Sequence, residues 1–144
     1  MTARPPRGHV AIVRPWVADA ILGGSKTIES RFSRTRREPF GCLEIGEQVY
    51  FRVTGGGYVL RASVVDVASY EGLDAAAVAD IEANHRAAIG GDDAYWEVAR
   101  RARFATLAWL GDIHRVSTGP PLHRRPGDRR AWFAPRRGSP AAAG

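Results

Sequence analysis

The feature that most constrains the fold is a stretch of strict alternation broken by three glycines. From Glu47 to Val53, Val49, Phe51 and Val53 alternate with Gln48, Tyr50 and Arg52, and after Thr54-Gly55-Gly56-Gly57 a second alternating run extends from Tyr58 to Tyr70. A period of two places one set of side chains on a core face and the other set outward, and a glycine-rich break supplies the backbone freedom of a hairpin turn. The apolar phase of the second run changes at Val64-Val65, from Leu60, Ala62 and Val64 to Val65 and Val67. A β-bulge or sharp coil there is expected, of the kind that lets a sheet curl into a small barrel.

The flanking segments are built differently. His9 to Val13 reads as a short strand, and Pro15, with φ already fixed near the helical value, opens a helix that runs to Leu22 and stops at Gly23-Gly24. Trp16 or Val17, with Ala20 and Ile21, recurs at helical spacing. Thr27 to Phe32 has strand alternation, with Ile28 on one face and Thr27, Glu29 and Arg31 on the other. Ser33 to Gly41 is a basic exposed loop. A helix capped by Asp74 carries Val78, Ile81, His85 and Ala88 or Ile89 on one stripe and ends at Gly90-Gly91; a short second helix starts at Asp92 or Asp93 and includes Tyr95, Trp96, Val98 and Ala99. Phe104 to Ile113 is apolar enough for a strand covered on both faces, and Arg130 to Phe133 reads as a short last strand. The expectation is one α+β domain, a small mixed β-barrel with inserted helices over residues 9–134, between a flexible stretch at 1–8 and a disordered tail at 135–144.

Composition narrows the classes of function. The 144 residues are 44% hydrophobic, which suits one domain with a real core. Cys42 is the single cysteine, so neither an internal disulfide nor a cysteine-based zinc site can form, and a small buried apolar role is expected for it. The four histidines, His9, His85, His114 and His123, show no metal spacing, so no metal and no cofactor is expected. Gly55-Gly56-Gly57 lacks the lysine, serine and helix of a phosphate loop. The first residues, Met1 to Gly8, carry charge but lead into no long apolar run, so neither a signal peptide nor a membrane span is expected, and a cytoplasmic protein is. The net charge of +6 suits a polyanionic partner. Arg34-Arg36-Arg37, Arg100-Arg101-Arg103, Arg124-Arg125-Arg129-Arg130 and Arg136-Arg137 read equally as nucleic-acid contacts or as solvated surface.

Lys26 is the only lysine among 21 basic residues. A lysine offers a compact ammonium whose pKa burial can lower, which arginine does not. It follows directly on the glycine turn, where strand phase need not hold, so alternation leaves the direction of its side chain open. Glu29 and Arg31 share a face and read either as a structural ion pair or as a binding pair.

These residues carry a resemblance. The run from Arg14 to Arg31, with Pro15-Trp16 opening a helix and Gly24-Ser25-Lys26-Thr27-Ile28-Glu29-Ser30-Arg31 after it, is similar to the G-x-K-x-x-E-x-R signature of ASCH domains, which are PUA-like in fold. The likeness continues through Gly46-Glu47-Gln48-Val49-Tyr50-Phe51, where Glu47 replaces the usual aspartate, and spans Val10 to Phe133. It implies a cleft for RNA or a nucleoside or nucleotide ligand, with Lys26 on a phosphate or base carbonyl, Arg31 in a forked contact and Glu29 orienting one of them. Trp16, Ser25 and Arg52 join the ligand-binding set; Trp16 and Tyr50 read as bases' stacking partners or, more ordinarily, as core or cap. One branch of ASCH-like proteins consists of amidohydrolases that deacetylate N4-acetylcytidine, using the motif lysine, a threonine three residues later and a distal glutamate. Lys26 matches the lysine, but Glu29 stands where that branch has threonine, Thr27 faces elsewhere, and Glu82 is the nearest distal acid. In an enzyme of this kind Glu29 would activate a water and Lys26 would stabilise the oxyanion. Nuclease activity also occurs in the family. A monomer is assumed.

Overall fold

The computed structural model describes residues 7–135, so the two terminal expectations fall mostly outside it. Nine elements follow in order: β1 (His9–Val13), α1 (Pro15–Gly23), β2 (Ile28–Ser33), β3 (Gln48–Val53), β4 (Tyr58–Glu71), α2 (Ala75–Ile89), α3 (Asp93–Ala99), β5 (Phe104–Arg115) and β6 (Trp132–Phe133). The strands form one curled sheet in the order β2-β5-β4-β3-β1-β6. The β1–β3 pair is parallel and the other neighbours are antiparallel, so the fold is α+β with a mixed sheet. The expected barrel is a half-barrel: β2 and β6 are its two edges, and no backbone ladder joins them.

The curl originates where the alternation slips. The β4–β5 register shifts between Arg61 and Ser63 and again between Val64 and Asp66. Leu60, Ala62 and Val64 point into the inner core, Val67 packs against the same cluster, and Val65 is 53% exposed. Val65 is thus the residue pushed outward by the bulge, whereas the phase change had placed it inward.

The sheet has a core on each face. The inner cluster gathers Ala11, Val49, Phe51, Leu60, Ala62 and Val64 beneath Ala18 and Ile21 of α1. The outer cluster sets Ile28, Ala105 and Leu107 against Val78, Ile81 and Ile89 of α2 and Trp96 and Ala99 of α3. Leu107 and Ala108, neighbours on β5, are both buried and belong to opposite clusters, which makes β5 the strand covered on both faces.

Local chemistry sets the helix ends. Asp74 and Asp92 each accept a hydrogen bond from a backbone N–H three residues on, at 2.8 Å in both cases, and so cap α2 and α3. On α1 the buried residues are Ala18 and Ile21, while Trp16 is turned out and 61% exposed. Tyr50, expected outward, is 7% exposed; its ring lies against Tyr58 and beneath Gly8, where an added Cβ would come within 3.1 Å of the ring. The final strand is shorter than expected: it starts at Trp132, and just ahead of it Asp128 accepts from both the backbone and the guanidinium of Arg130.

Candidate functional site

The segment after α1 is stitched to the ends of two helices. Gly24, at φ 86°, ends α1 in the left-handed conformation, and its N–H donates to Ile21 O. Lys26 N and Ser25 Oγ both donate to Ala20 O, at 3.1 and 3.3 Å. Thr27 N donates to Ala88 O at 2.9 Å, and Lys26 Nζ donates to Ile89 O at 2.6 Å. Carbonyls in the last turn of a helix lack intrahelical donors and carry its partial negative charge, so this segment satisfies α1 and α2 together.

β2 then runs along the edge of the sheet. Thr27 and Ser33 aim their carbonyls inward, accepting from Leu110 N and Arg103 N. The alternation of an antiparallel ladder therefore turns the backbone groups of Ile28, Ser30 and Phe32 to the open edge. Two of these are met by side chains: Lys26 Nζ donates to Ile28 O at 2.9 Å, and Ser30 N donates to Glu29 Oε1 at 3.0 Å. Lysine and glutamate here cover an edge that would otherwise be free to pair.

The same two side chains form an ionic row with Arg31. Lys26 Nζ lies 3.6 Å from Glu29 Oε1, and Arg31 Nη2 donates to Glu29 Oε2 at 3.3 Å. The Glu29 side chain is 7% exposed and that of Lys26 10%. Burial is the chief cause that lowers the Lys26 pKa from its ordinary value; Glu29 opposes it and Arg31 adds to it. Arg31 also reaches across the gap between the sheet edges, its Nη1 donating to Ala131 O at 3.4 Å and its guanidinium lying 5.2 Å from the centre of the Trp132 ring. Trp132 is anchored in turn, its indole N–H donating to His9 Nδ1 at 3.0 Å, while His9 Nε2 meets Glu47 at 2.9 Å. An indole can only donate, so His9 Nδ1 is the acceptor and Nε2 carries the proton toward Glu47.

The row forms the floor of a cleft of about 930 Å³. One wall is α1, with Trp16, Val17 and Ala20; the other is the end of α2 and α3, with Gly90, Tyr95 and Val98. Ser30 Oγ and Tyr95 Oη are 2.6 Å apart. Tyr95 is 37% exposed as a residue, but burial around its hydroxyl raises its pKa to about 12 against a smaller lowering by Ser30. The hydroxyl is thus a neutral donor or acceptor at any ordinary pH. Arg14, Arg34 and Arg101 stand at the rim and are exposed.

The structure therefore brings Trp16, Ser25, Lys26, Glu29 and Arg31 into one cleft and leaves Arg52 and Glu82 outside it. Arg52 lies on β3 against the Tyr58 ring, 5.4 Å from its centre, because strand alternation turns it away from the inner core. Glu82 sits on the far side of α2, paired with Arg86 and Arg100. Thr27 is exposed and does not line the cleft. Ser30, Tyr95, Trp132 and His9 stand beside the row without a sequence signal of their own beyond the place of Ser30 within the motif and of Tyr95 near the start of a helix. Of the arginine clusters, Arg36, Arg100 and Arg130 pair with Glu71, Glu82 and Asp128, so part of that charge is neutralised in place. Cys42 is half-buried and donates to Pro39 O, and His85 packs edge-on against Trp109. No group of metal-binding side chains occurs among the described residues, and none of their helices is long and apolar enough to cross a membrane.

No protein-family model matches the sequence, and no curated protein matches it. Solved structures do. The ASCH protein of Zymomonas mobilis superposes with a TM-score of 0.58 at 15% identity, covering 74% of this chain and 68% of that one. Two variants of the same protein superpose at 16% identity, one with a TM-score of 0.61 over 89% of each chain and one with 0.66 over 92% of each. Likeness at this identity is a statement about architecture: the chain shares the fold of these ASCH structures, and its described residues form a curled six-stranded half-barrel with three helices.

Proposed function

We propose that the chain is a binding module for RNA or a nucleotide, and that the cleft beside β2 receives a nucleobase. The observation that carries this is the buried Lys26–Glu29–Arg31 row on the floor of a cavity walled by an exposed tryptophan. A carboxylate at that position accepts from an amino or imino edge of a base, an arginine fork meets a carbonyl, and Trp16 offers a face for stacking. The rim guanidinium groups of Arg14, Arg34 and Arg101 suit the sugar-phosphate. Glu29 is already held by two cations, so a ligand gains orientation there without having to organise the floor itself.

The reading is tested by fluorescence anisotropy with short single-stranded RNA and with nucleotides over a salt series. Binding that weakens with salt, and that falls about 5- to 150-fold in Trp16→Ala if a base stacks there at roughly 1–3 kcal/mol, supports it. Binding that is absent, or that is untouched by Trp16→Ala and Arg31→Ala together, removes it.

A second reading, amide or RNA hydrolysis, is favoured by one observation: Lys26 is a burial-shifted lysine beside a carboxylate. Two of its hydrogens, however, are donated to Ile28 O and Ile89 O, and its charge faces Glu29 at 3.6 Å, so the ammonium is already engaged within the floor. In a hydrolase built on this floor, Glu29 would activate the water and Tyr95 or Arg31 would meet the developing negative charge. Release of cytidine from N4-acetylcytidine, or scission of RNA, that is lost in Glu29→Gln would establish it; no turnover by the folded protein leaves binding as the function.

A further inference from the structure

The cleft beside β2 does not end at Arg31. A second cavity, of about 560 Å³, lies on the other side of it, and Arg31, Phe32 and Ser33 line both. We propose that the two form a continuous track for a single-stranded polynucleotide, in which the second cavity holds the phosphodiester and neighbouring residue of a strand whose base occupies the first. The proposal rests on the nucleotide reading of the first cleft and adds the class of ligand: a strand, not a free nucleoside.

Three observations support this. The first is the charge inventory of the second cavity. Arg37 and Arg129 line it, both are exposed, and neither takes part in an ion pair among the described residues. Arg37 uses only its Nε, which donates to Thr35 Oγ1, so its two terminal nitrogens remain available. Glu38 is the one acid in the lining, and its carboxylate accepts from Ala134 N at 3.2 Å. Surface arginines are ordinarily solvated, but these stand around a concavity that continues a second concavity.

The second observation is an aromatic wall. Phe40 and Phe104, which line the same cavity, meet edge-to-face with centres 5.2 Å apart, and the Arg36 guanidinium lies over both rings, 4.9 and 5.4 Å from their centres. Cationic groups interleaved with rings are what a sequence-tolerant single-strand groove uses, one for the backbone and the other for base faces.

The third is the state of Arg31 itself. Two of its terminal nitrogens are engaged, one on each side, with Glu29 in the first cavity and Ala131 O at the border of the second. Its Nε is buried and has no hydrogen-bond partner. A guanidinium with five donors placed between two cavities contacts a strand passing from one to the other. A mononucleotide in the first cleft meets the rim arginines on its own side and leaves Arg37 and Arg129 unused.

The test compares a ribomononucleotide with the hexaribonucleotide and hexadeoxynucleotide of the same base, by anisotropy over a sodium chloride series, on the wild type and on the double variant Arg37→Ala, Arg129→Ala. Both positions are exposed, so the double variant keeps its fold, which its thermal transition verifies. The expected result is a hexaribonucleotide bound about tenfold or more tighter than the mononucleotide, with that gain lost in the double variant. The slope of log K against log salt should become shallower by about 1.4, for two single-strand phosphate contacts, while mononucleotide affinity stays unchanged. A hexadeoxynucleotide that shares the gain upholds a track read through phosphates; one that does not upholds a track that also reads the ribose. If the mononucleotide binds and neither hexamer binds tighter, or the double variant changes neither affinity nor slope, the track is overturned and the first-cleft reading stands. If neither mononucleotide nor hexamer binds to the folded wild type, the first-cleft reading fails and the track goes with it.

Discussion

β2 and the β3–β4 hairpin belong to one sheet and obey opposite rules. β3 has a ladder on each side, so its backbone groups are satisfied by neighbours and its inward side chains, Val49 and Phe51, are free to be purely apolar and fully buried. β2 has a ladder on one side only. On its other edge two backbone groups are met by side chains, and a side chain that satisfies a backbone carbonyl or N–H must itself be polar. The result is a lysine and a glutamate buried beside a cleft, where charge is otherwise rare. An edge strand thus concentrates in one place both what it needs for folding and what a ligand can use.

Phe51 separates the two regions most clearly. Phe51→Ala opens a cavity in the inner core and should cost about 3–5 kcal/mol in chemical denaturation, while the shape of the β2 cleft, probed by ligand affinity under conditions where the variant is folded, is retained. At the other pole, Lys26→Met keeps the length of the side chain but leaves Ile28 O and Ile89 O without their donor and Glu29 with one cation in place of two. A loss of about 1–3 kcal/mol is expected, together with weakened ligand binding. A Lys26→Met protein as stable as the wild type would show that the edge does not depend on this side chain.

Smaller changes sharpen the same contrast. Asp74→Ala removes the cap of α2 at the end far from the cleft and should cost about 1 kcal/mol with ligand affinity unchanged. Because the opposite end of that helix supplies the carbonyls that hold Lys26 and Thr27, a fall in affinity would reveal that fraying of α2 travels along its length. The smallest effect concerns alkaline pH. The Tyr95 pKa is raised by burial to about 12 from an unfolded value of 10.0, so between these values the folded state holds the proton that the unfolded state releases. The stability this contributes is present below pH 10 and is lost as pH rises toward 12. Tyr58 is shifted in the same direction, so the check is a difference: Tyr95→Phe should show a shallower loss of stability across that window than the wild type. Equal slopes would place the Tyr95 hydroxyl in water.

How much of this was legible in the sequence follows from the same distinction. Where a strand is satisfied by its neighbours, the pattern of side chains reports the fold directly: Val49, Phe51, Leu60 and Ala62 announced their faces, and the phase slip at Val64 announced the bulge. The bulge hid which of two valines it extrudes, because alternation has no value at an inserted residue. The caps Asp74 and Asp92 were legible as well, since capping is a local interaction. The site was legible only in its local part. Lys26, Glu29 and Arg31 lie within six positions of one another, whereas Tyr95, Trp132 and His9 reach them through contacts between distant segments, such as the 65 positions separating Ser30 from Tyr95 and the 123 separating Trp132 from His9. Arg52 and Glu82 failed to join for the converse reason. Each has a residue type suited to a nucleotide site, but the register of β3 and the rotation of α2 carry them to other surfaces.

The measurement that bears most directly on the central claim is an amide and indole NMR titration of the wild-type protein with a short single-stranded RNA. Progressive shifts are expected from Lys26 through Ser33, from Ile89 through Tyr95, at the indole N–H of Trp16 and, along the second cavity, at Arg37 and from Arg129 through Trp132, with the β3–β4 turn at Thr54–Gly57 unmoved. Shifts centred on that turn or on the exposed face of α2, with the Trp16 indole and the Glu29 amide stationary at saturation, would contradict it.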